Sequence, residues 1–379
     1  MIDSLNWGGA ETLLAEYAVG AERAGIELSV AYLHDRPGVN DRLRELGIEP
    51  VLVPISGLLS RSGRRRVRDH LAALNPDLLH SHLGYSDVYG GLAARSLGIP
   101  AVATLHTMAE PPGPREHVKE RLMGLARRHC AQRVIAVSDA LRDAYLARRW
   151  DTPERVVTVR NGILGDIRPG AGKRVRSELG VSDDALIVGM VSVLRAGKGH
   201  DIAAAAVAAL REDFPQLRLL VLGTGPDREE IGRLLEPLGD GAIMAGHRDD
   251  VLDAIDAMDV LIHPSLIDAL PTALIEAMAA STPVVATAVG GIPEIVVPDE
   301  TGVLISAPPT ATALADALRP LLADPGVRRG LGESGRGRFL AEFTVDSWMQ
   351  RLLPVYRDAI AAVAARRRSR RARSGATGR

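Results

Sequence analysis

The chain alternates short, continuous apolar runs with longer segments of helical periodicity along nearly its whole length. The runs fall at residues 28–33, 51–55, 78–83, 101–106, 134–138 and 156–159. A second series follows at 186–194, 217–223, 242–246, 260–265 and 283–288. A strand with one wet face alternates apolar and polar residues, whereas a strand covered on both faces does not. Most of these runs are unbroken, so they predict parallel sheets covered by helices, an α/β doubly wound architecture. No fixed-period internal repeat is present.

The two series imply two Rossmann-like domains, which fits a chain of 379 residues. Between them, Gly162, Gly165, Pro169, Gly170 and Gly172 are interspersed with charges and read as a linker. The expected domains are 1–165 and 166–345. A terminal helix over 346–365 follows, with Trp348, Leu352, Leu353, Tyr356 and Ile360 near one face and a kink at Pro354. Residues 366–379, rich in Arg, Ser and Gly, are expected to be a disordered basic tail. Only Met1–Leu5 precede the first glycine turn, which is short for a Rossmann first strand, so a few upstream residues are expected.

Charge and cysteine content narrow the function. Lys+Arg 46 against Asp+Glu 47 gives a net charge of -1, which removes the global electrostatic case for nucleic-acid binding. The single cysteine, Cys130, excludes an internal disulfide and a cysteine-built zinc site. It reads as a small buried apolar residue of a reducing compartment. No signal-peptide pattern and no apolar stretch of the ~20 residues needed to span a bilayer is visible. A cytoplasmic protein is expected, at most peripheral on a membrane.

The residues that suit chemistry sit at the carboxyl ends of the runs, where open α/β sheets bind ligands. Gly8 and Gly9 stand where a first strand turns into a helix. Arg195 and Lys198 follow the run ending at Leu194, and two such cations suit a diphosphate that gains charge as a sugar leaves. The segment after residue 260 carries Asp268, then Leu270, Pro271 and Thr272 at a helix start whose free N–H groups suit phosphate. Glu276 lies little more than one turn further on. Asp268 and Glu276 read as hydroxyl acceptors for a sugar and a ribose. Gly246, His247 and Arg248 form the expected nucleotide-base region. His80 and His82 share a strand face, two ligands where a zinc site wants three or four. His106 ends its run facing the expected cleft.

Taken in order, several short pieces resemble the retaining glycosyltransferases of family 4, within glycosyl transferases group 1, which have the GT-B fold. They are Gly8-Gly9-Ala10-Glu11, Thr104-Leu105-His106, Val137-Ser138, Asn161-Gly162-Ile163, Lys198-Gly199-His200-Asp201, Gly223-Thr224-Gly225-Pro226, the block from Pro264 to Met278, and Gly290-Gly291-Ile292-Pro293-Glu294. The resemblance implies two Rossmann-like domains with an interdomain cleft, and a terminal helix crossing back to the first. It implies a nucleotide diphosphate sugar as donor and a glycan, lipid-linked or small-molecule acceptor, with no metal and no cofactor. By likeness, Lys198 and a nearby Arg clamp the diphosphate, Glu276 takes the ribose hydroxyls and Asp268 contacts the sugar. His106 stands near the reacting carbon, and the Gly8-Gly9 loop approaches the phosphates.

Two positions depart from the family pattern. Asp268 and Ala269 replace the usual Glu and Gly, and Val193 replaces an Arg whose charge Arg195 would have to supply. These departures motivate a second reading, a non-catalytic nucleotide-sugar or partner-binding protein on the same fold. A third, an epimerase, lacks a convincing additional acid/base set. Arg61, Arg64, Arg65, Arg66 and Arg68 cluster before a helix and suggest a peripheral contact with anionic membrane, a solvated helix start being the plainer reading.

Overall fold

The computed structural model describes residues 1–36, 38–58, 60–108 and 114–376. The chain divides into two compact units, one comprising Met1–Asn161 with Val345–Arg379, the other Gly162–Thr344.

Unit 1 is built on β1 (Ile2–Ser4), α1 (Gly9–Arg23), β2 (Ala31–His34), α2 (Asn40–Glu45) and β3 (Val51–Leu52). It continues through α3 (Arg61–Leu74), β4 (Leu79–His82), α4 (Gly84–Leu97), β5 (Ala101–Leu105) and α5 (Pro114–Cys130). It then adds β6 (Arg133–Ala136), α6 (Asp139–Ala147) and β7 (Val156–Thr158). The strands form one parallel sheet in the order β3-β2-β1-β4-β5-β6-β7.

Unit 2 begins with α7 (Ala171–Glu178), β8 (Leu186–Val191), α8 (His200–Leu210), β9 (Leu217–Leu222) and α9 (Arg228–Leu235). Next come β10 (Ala242–Gly246), α10 (Val251–Asp256), β11 (Val260–His263), α11 (Thr272–Ala279) and β12 (Val284–Thr287). It closes with α12 (Ile292–Ile295), β13 (Val303–Ile305), α13 (Ala311–Ala323) and α14 (Pro325–Arg338). Its parallel sheet runs β10-β9-β8-β11-β12-β13.

Both sheets are doubly wound, as the unbroken apolar runs predicted. The strand order reverses between β1 and β4 in unit 1 and between β8 and β11 in unit 2, which makes these the switch points where ligands enter such folds. Val188, Met190, Leu219, Val221, Val260, Ile262 and Val285 form the middle of the second core, all at most 2% exposed. Cys130 is buried as a small apolar residue.

Several boundaries differ from the sequence reading. The division falls after Asn161 rather than after residue 165, because Ile163 is already tied into unit 2. Its N–H donates to Phe343 O at 2.9 Å, and a Cβ on Gly162 would lie 2.2 Å from Thr344 O. The glycine-rich linker holds α7, whose Arg174 joins Asp250 and Asp253, so charges that looked solvated are partnered. The short strand β13 carried too weak a run to be noticed.

At the other end α15 (Val345–Ala376) is one helix through Pro354 and through most of the segment expected to be disordered. Its Arg- and Ala-rich composition carries good helix propensity. The last three residues lie outside the described ones. Val345, Trp348, Met349, Leu352, Tyr356 and Ala359 are the buried face, whereas Ile360 is 40% exposed. α15 packs on α1 at Gly20, where a Cβ would sit 2.5 Å from Val345 Cγ1.

One buried ion pair braces the helices of unit 1. Arg127 Nε donates to Asp87 Oδ2 at 2.6 Å, and Ser81 Oγ donates to the other carboxylate oxygen at 2.6 Å. The Asp87 side chain is fully buried. Removing one member of such a pair strands the other charge without solvent. Asp87→Ala is therefore expected to destabilise unit 1 by about 3–5 kcal/mol, read from the urea midpoint of its unfolding transition.

Candidate functional site

The loops that leave β8 and β11 flank the switch point of unit 2, and they are pressed together. Gly197 and Gly199 have φ of 81° and 80°, in the left-handed region that favours glycine. A Cβ on Gly199 would lie 2.1 Å from Pro264 O. Leu266 N–H donates to Gly197 O at 2.9 Å, which fixes the second loop on the first.

Between these glycines stands Lys198. Its Nζ donates to Asp268 Oδ2 at 2.6 Å, and the same oxygen accepts from His263 Nε2 at 3.0 Å. Both members of the Lys198–Asp268 pair are largely buried, at 12% and 16% side-chain exposure. Burial works against the carboxylate charge, but the hydrogen bonds and charges of His263 and Lys198 win and hold Asp268 well below the usual carboxylate range. His263 Nδ1 is buried with no partner among the described residues.

The neighbouring backbone completes the site. Gly291 N–H donates to Asp268 O at 3.3 Å, so the Gly290-Gly291 turn supports the Asp268 loop. Thr272 is the first residue of α11, and Pro271 is its cap residue rather than its first helical one. Leu270 and Pro271 are buried, and Glu276 is half-buried on α11. Arg195 is exposed, with no ion pair among the described residues, and Val193 is half-buried. Gly246 ends β10 with φ of 70°. Arg248, by contrast, is spent on structure. It bonds Asp250 and Glu178, which push its own pKa up, and together with Arg174 it holds Asp250 down at about 2 against the cost of burial. Next to it, His247 Nε2 lies 3.2 Å from Asp249.

The switch point of unit 1 presents different chemistry. Gly8 caps α1 and Gly9 opens it. Glu11 folds back over this turn, and a Cβ on Gly8 would fall 2.4 Å from its carboxylate. Burial pushes Glu11 up to about 7, against the pull of its own backbone N–H, with the charge of Asp3 adding to the rise. Asp3 is pushed up to about 6, again by burial, although it accepts from the N–H groups of Tyr85 and Ser86.

Beside them lies a histidine row. His80 and His82 do share a face, with ring centroids 4.1 Å apart. His82 pairs with Thr104 across the sheet, so His106, two residues on, comes to the same face. His82 Nδ1 and His106 Nε2 share a hydrogen bond of 2.8 Å. Burial holds His106 down to about 4 and His80 and His82 well below the usual imidazole value. His80 is anchored by Tyr356 OH and Thr104 Oγ1, both at 2.6 Å, and Tyr356 donates to Tyr17. Among the described residues no group of three or more His, Cys, Asp or Glu side chains could hold a metal ion. His106 also lines a pocket of about 200 Å³ with Met123, Arg127, Tyr145, Arg148 and Trp150.

The sequence reading named Lys198, Asp268 and His106 but passed over His263 as a partner and read His82 only as a weak metal ligand. A polar residue ending a buried apolar strand was the signal for the first. The β4–β5 register, invisible in a linear chain, was needed for the second.

Two outcomes follow. Glu11 and Asp3 bind protons more tightly folded than unfolded, so the stability they contribute to unit 1 is full below pH ~4 and is lost as pH rises through about 6 to 7, against the opposite trend of the buried neutral histidines. Glu11→Gln should remove the Glu11 share, so that the variant gains stability relative to the wild type as pH rises from ~4 to about 7, read from urea midpoints of both proteins across the range. His82→Leu should leave His106 Nε2 unpaired, cost about 1–3 kcal/mol, and turn a single neutral His106 tautomer into a mixture in ¹⁵N-histidine NMR spectra.

Comparison with known proteins agrees with the architecture. The family described as glycosyl transferases group 1 matches residues 173–338, and the one described as glycosyltransferase family 4 matches residues 7–163. An α-maltose-1-phosphate synthase of Mycolicibacterium smegmatis is 32% identical over 74% of this chain and 78% of its own length. A D-inositol 3-phosphate glycosyltransferase of Salinispora arenicola is 30% identical over 94% of this chain and 88% of its own. Among solved structures, Anabaena HepE in complex with UDP superposes with a TM-score of 0.80 at 23% identity, covering 93% of this chain and 97% of that one. The doubly wound sheets, the glycine-bound loops at their switch points and these relatives place the chain in the group 1 glycosyltransferases of GT-B fold.

Proposed function

We propose that this glycosyltransferase moves a sugar from a nucleotide diphosphate donor held by unit 2 to an acceptor held by unit 1, with retention of anomeric configuration and without a metal. The observation that carries the reading is Lys198, buried at the β8–β11 switch point and ion-paired to Asp268. An ammonium has three N–H donors, so Lys198 can keep Asp268 and still meet a phosphate oxygen. The start of α11 at Leu270, Pro271 and Thr272 adds backbone N–H groups and the positive end of a helix dipole. Arg195, exposed and unpaired among the described residues, supplies a second cation at the same loop. Together they offset the charge that develops on a leaving diphosphate, the work a metal does elsewhere. Glu276, on α11, is the proposed acceptor for the ribose hydroxyls. Gly246 and His247 offer backbone to the base, and the Arg248 side chain is engaged elsewhere.

The pocket beside His106 is the proposed acceptor site, with Trp150 and Tyr145 as apolar walls for a sugar ring. Gly9, with open space where a side chain would stand, leaves the backbone free for a phosphate at the first turn, beside the Gly8 position that the Glu11 carboxylate covers. Acceptors of the three classes named above all remain candidates. Retention rests on the family resemblance. HepE was solved with UDP, so uridine donors are the first to try.

The Lys198–Asp268 pair also favours a second reading. A shortened carboxylate that holds the lysine could leave a site that binds donor without turnover. Release of nucleoside diphosphate from a panel of UDP-, GDP- and ADP-sugars, with and without EDTA, separates the two. Turnover unaffected by EDTA, falling at least ~100-fold in Lys198→Ala, is the expected result. Unchanged release in that variant rejects the clamp, and donor binding without release selects the second reading.

A further inference from the structure

The arginine run noted in the sequence is one part of a larger surface. The connections β3 to β4, β4 to β5 and β5 to β6 all step the same way across the sheet. Right-handed crossovers therefore place α3, α4 and α5 on one face, and α4 packs against both of the others. On α3 the buried positions are Gly63, Val67 and Leu71, so the arginines point outward. Arg61, Arg64, Arg65, Arg66 and Arg68 are all exposed. The only carboxylate on that helix is Asp69, which lies 3.5 Å from Arg65 and 3.7 Å from Arg68.

On α5 the outward face is apolar. Val118, Leu122 and Leu125 are 60%, 41% and 39% exposed, and their spacing of four and three residues puts them on a single stripe. Lys119, Arg121 and Arg128 flank it and are exposed. Glu120 is paired with Arg148. An exposed aliphatic stripe in a ring of cations, on a chain whose net charge is only -1, is local patterning rather than bulk charge.

We propose that the outer face of α3 and α5 docks on an anionic lipid bilayer, the α5 stripe entering the head-group boundary and the arginines of α3 meeting lipid phosphates. Aliphatic side chains at helical spacing beside cations fit an interfacial helix. A nucleic acid offers nothing for that stripe. A second copy of the chain would bring the same cation-bordered patch against itself under two-fold symmetry, setting like charges on both sides of the contact. The other side of α5 contributes Glu120, Met123 and Arg127 to the pocket beside His106, so a bilayer under α5 brings head groups close to that pocket. This last step rests on the sugar-transfer reading and selects a lipid-linked acceptor. The docking itself does not rest on it.

The test is co-sedimentation of the full chain with vesicles of phosphatidylcholine alone and of phosphatidylcholine with phosphatidylglycerol. The variants are Leu122→Ser with Leu125→Ser, Arg64→Gln with Arg65→Gln, and Arg366→Gln with Arg367→Gln and Arg368→Gln. Binding to the anionic vesicles only is expected, weakened by salt. It should fall at least ~10-fold in the leucine pair and about fivefold for each arginine removed from α3. Matched thermal midpoints show that the variants are folded. Absence of vesicle binding overturns the proposal, as does binding lost only with the arginines of α15. A wild-type dimer in solution that the leucine pair dissolves, without vesicle binding, assigns the face to a second copy and also overturns it. Because neither donor nor acceptor is present, failure here leaves the enzyme reading to be decided independently by nucleoside diphosphate release.

Discussion

Two backbone segments leave adjacent strands at the switch point of unit 2 and meet where Gly199 faces the carbonyl of Pro264. There is no space for a side chain at that contact, and the dihedral angle of Gly199 is one that other residues adopt at a cost. Everything chemical in unit 2 is referred to this contact. It brings the residue before Gly199, a lysine, against the carboxylate four residues beyond Pro264. The fold supplies the meeting point through the reversal of strand order, and the glycines supply the closeness.

Asp268 shows how burial and pairing are balanced there. A carboxylate at this depth would be driven toward its neutral form if it stood alone. Lys198 and His263 reverse that by converging on a single oxygen, and the second oxygen stays available. Asp268, shorter by one methylene than the Glu that the family resemblance leads one to expect, ends at the lysine. Arg195, placed two residues after the expected arginine, stands outside this cluster on the exposed side of the loop.

The architecture was legible in the sequence because a strand covered on both faces leaves a continuous apolar run, and that signal survives without any knowledge of partners. Lys198, Asp268 and Pro271 were legible for a related reason, since each sits just beyond such a run. What the sequence hid is what depends on lateral register. His82 and His106 are far apart along the chain, and only the pairing of β4 with β5 puts them in contact. The same holds for the ion pairs of α7, whose charges looked solvated until α10 was packed beside it. In the tail, low hydrophobicity argues against a core but does not argue against a helix, and α15 runs on to Ala376. The carboxylate partners of the Arg248 side chain, Asp250 and Glu178, were likewise hidden until the elements were packed together.

The chain enters and leaves unit 2 side by side, with Ile163 bonded to Phe343. Unit 2 is thus one uninterrupted stretch, and unit 1 is assembled from both ends of the chain. On the ribosome, unit 2 can close as soon as it has emerged, while unit 1 must wait for α15. Until then the face of α1 around Tyr17 and Gly20, and the ring of His80 beneath Tyr356, remain uncovered. The histidine row reaches its final setting only when α15 has been made.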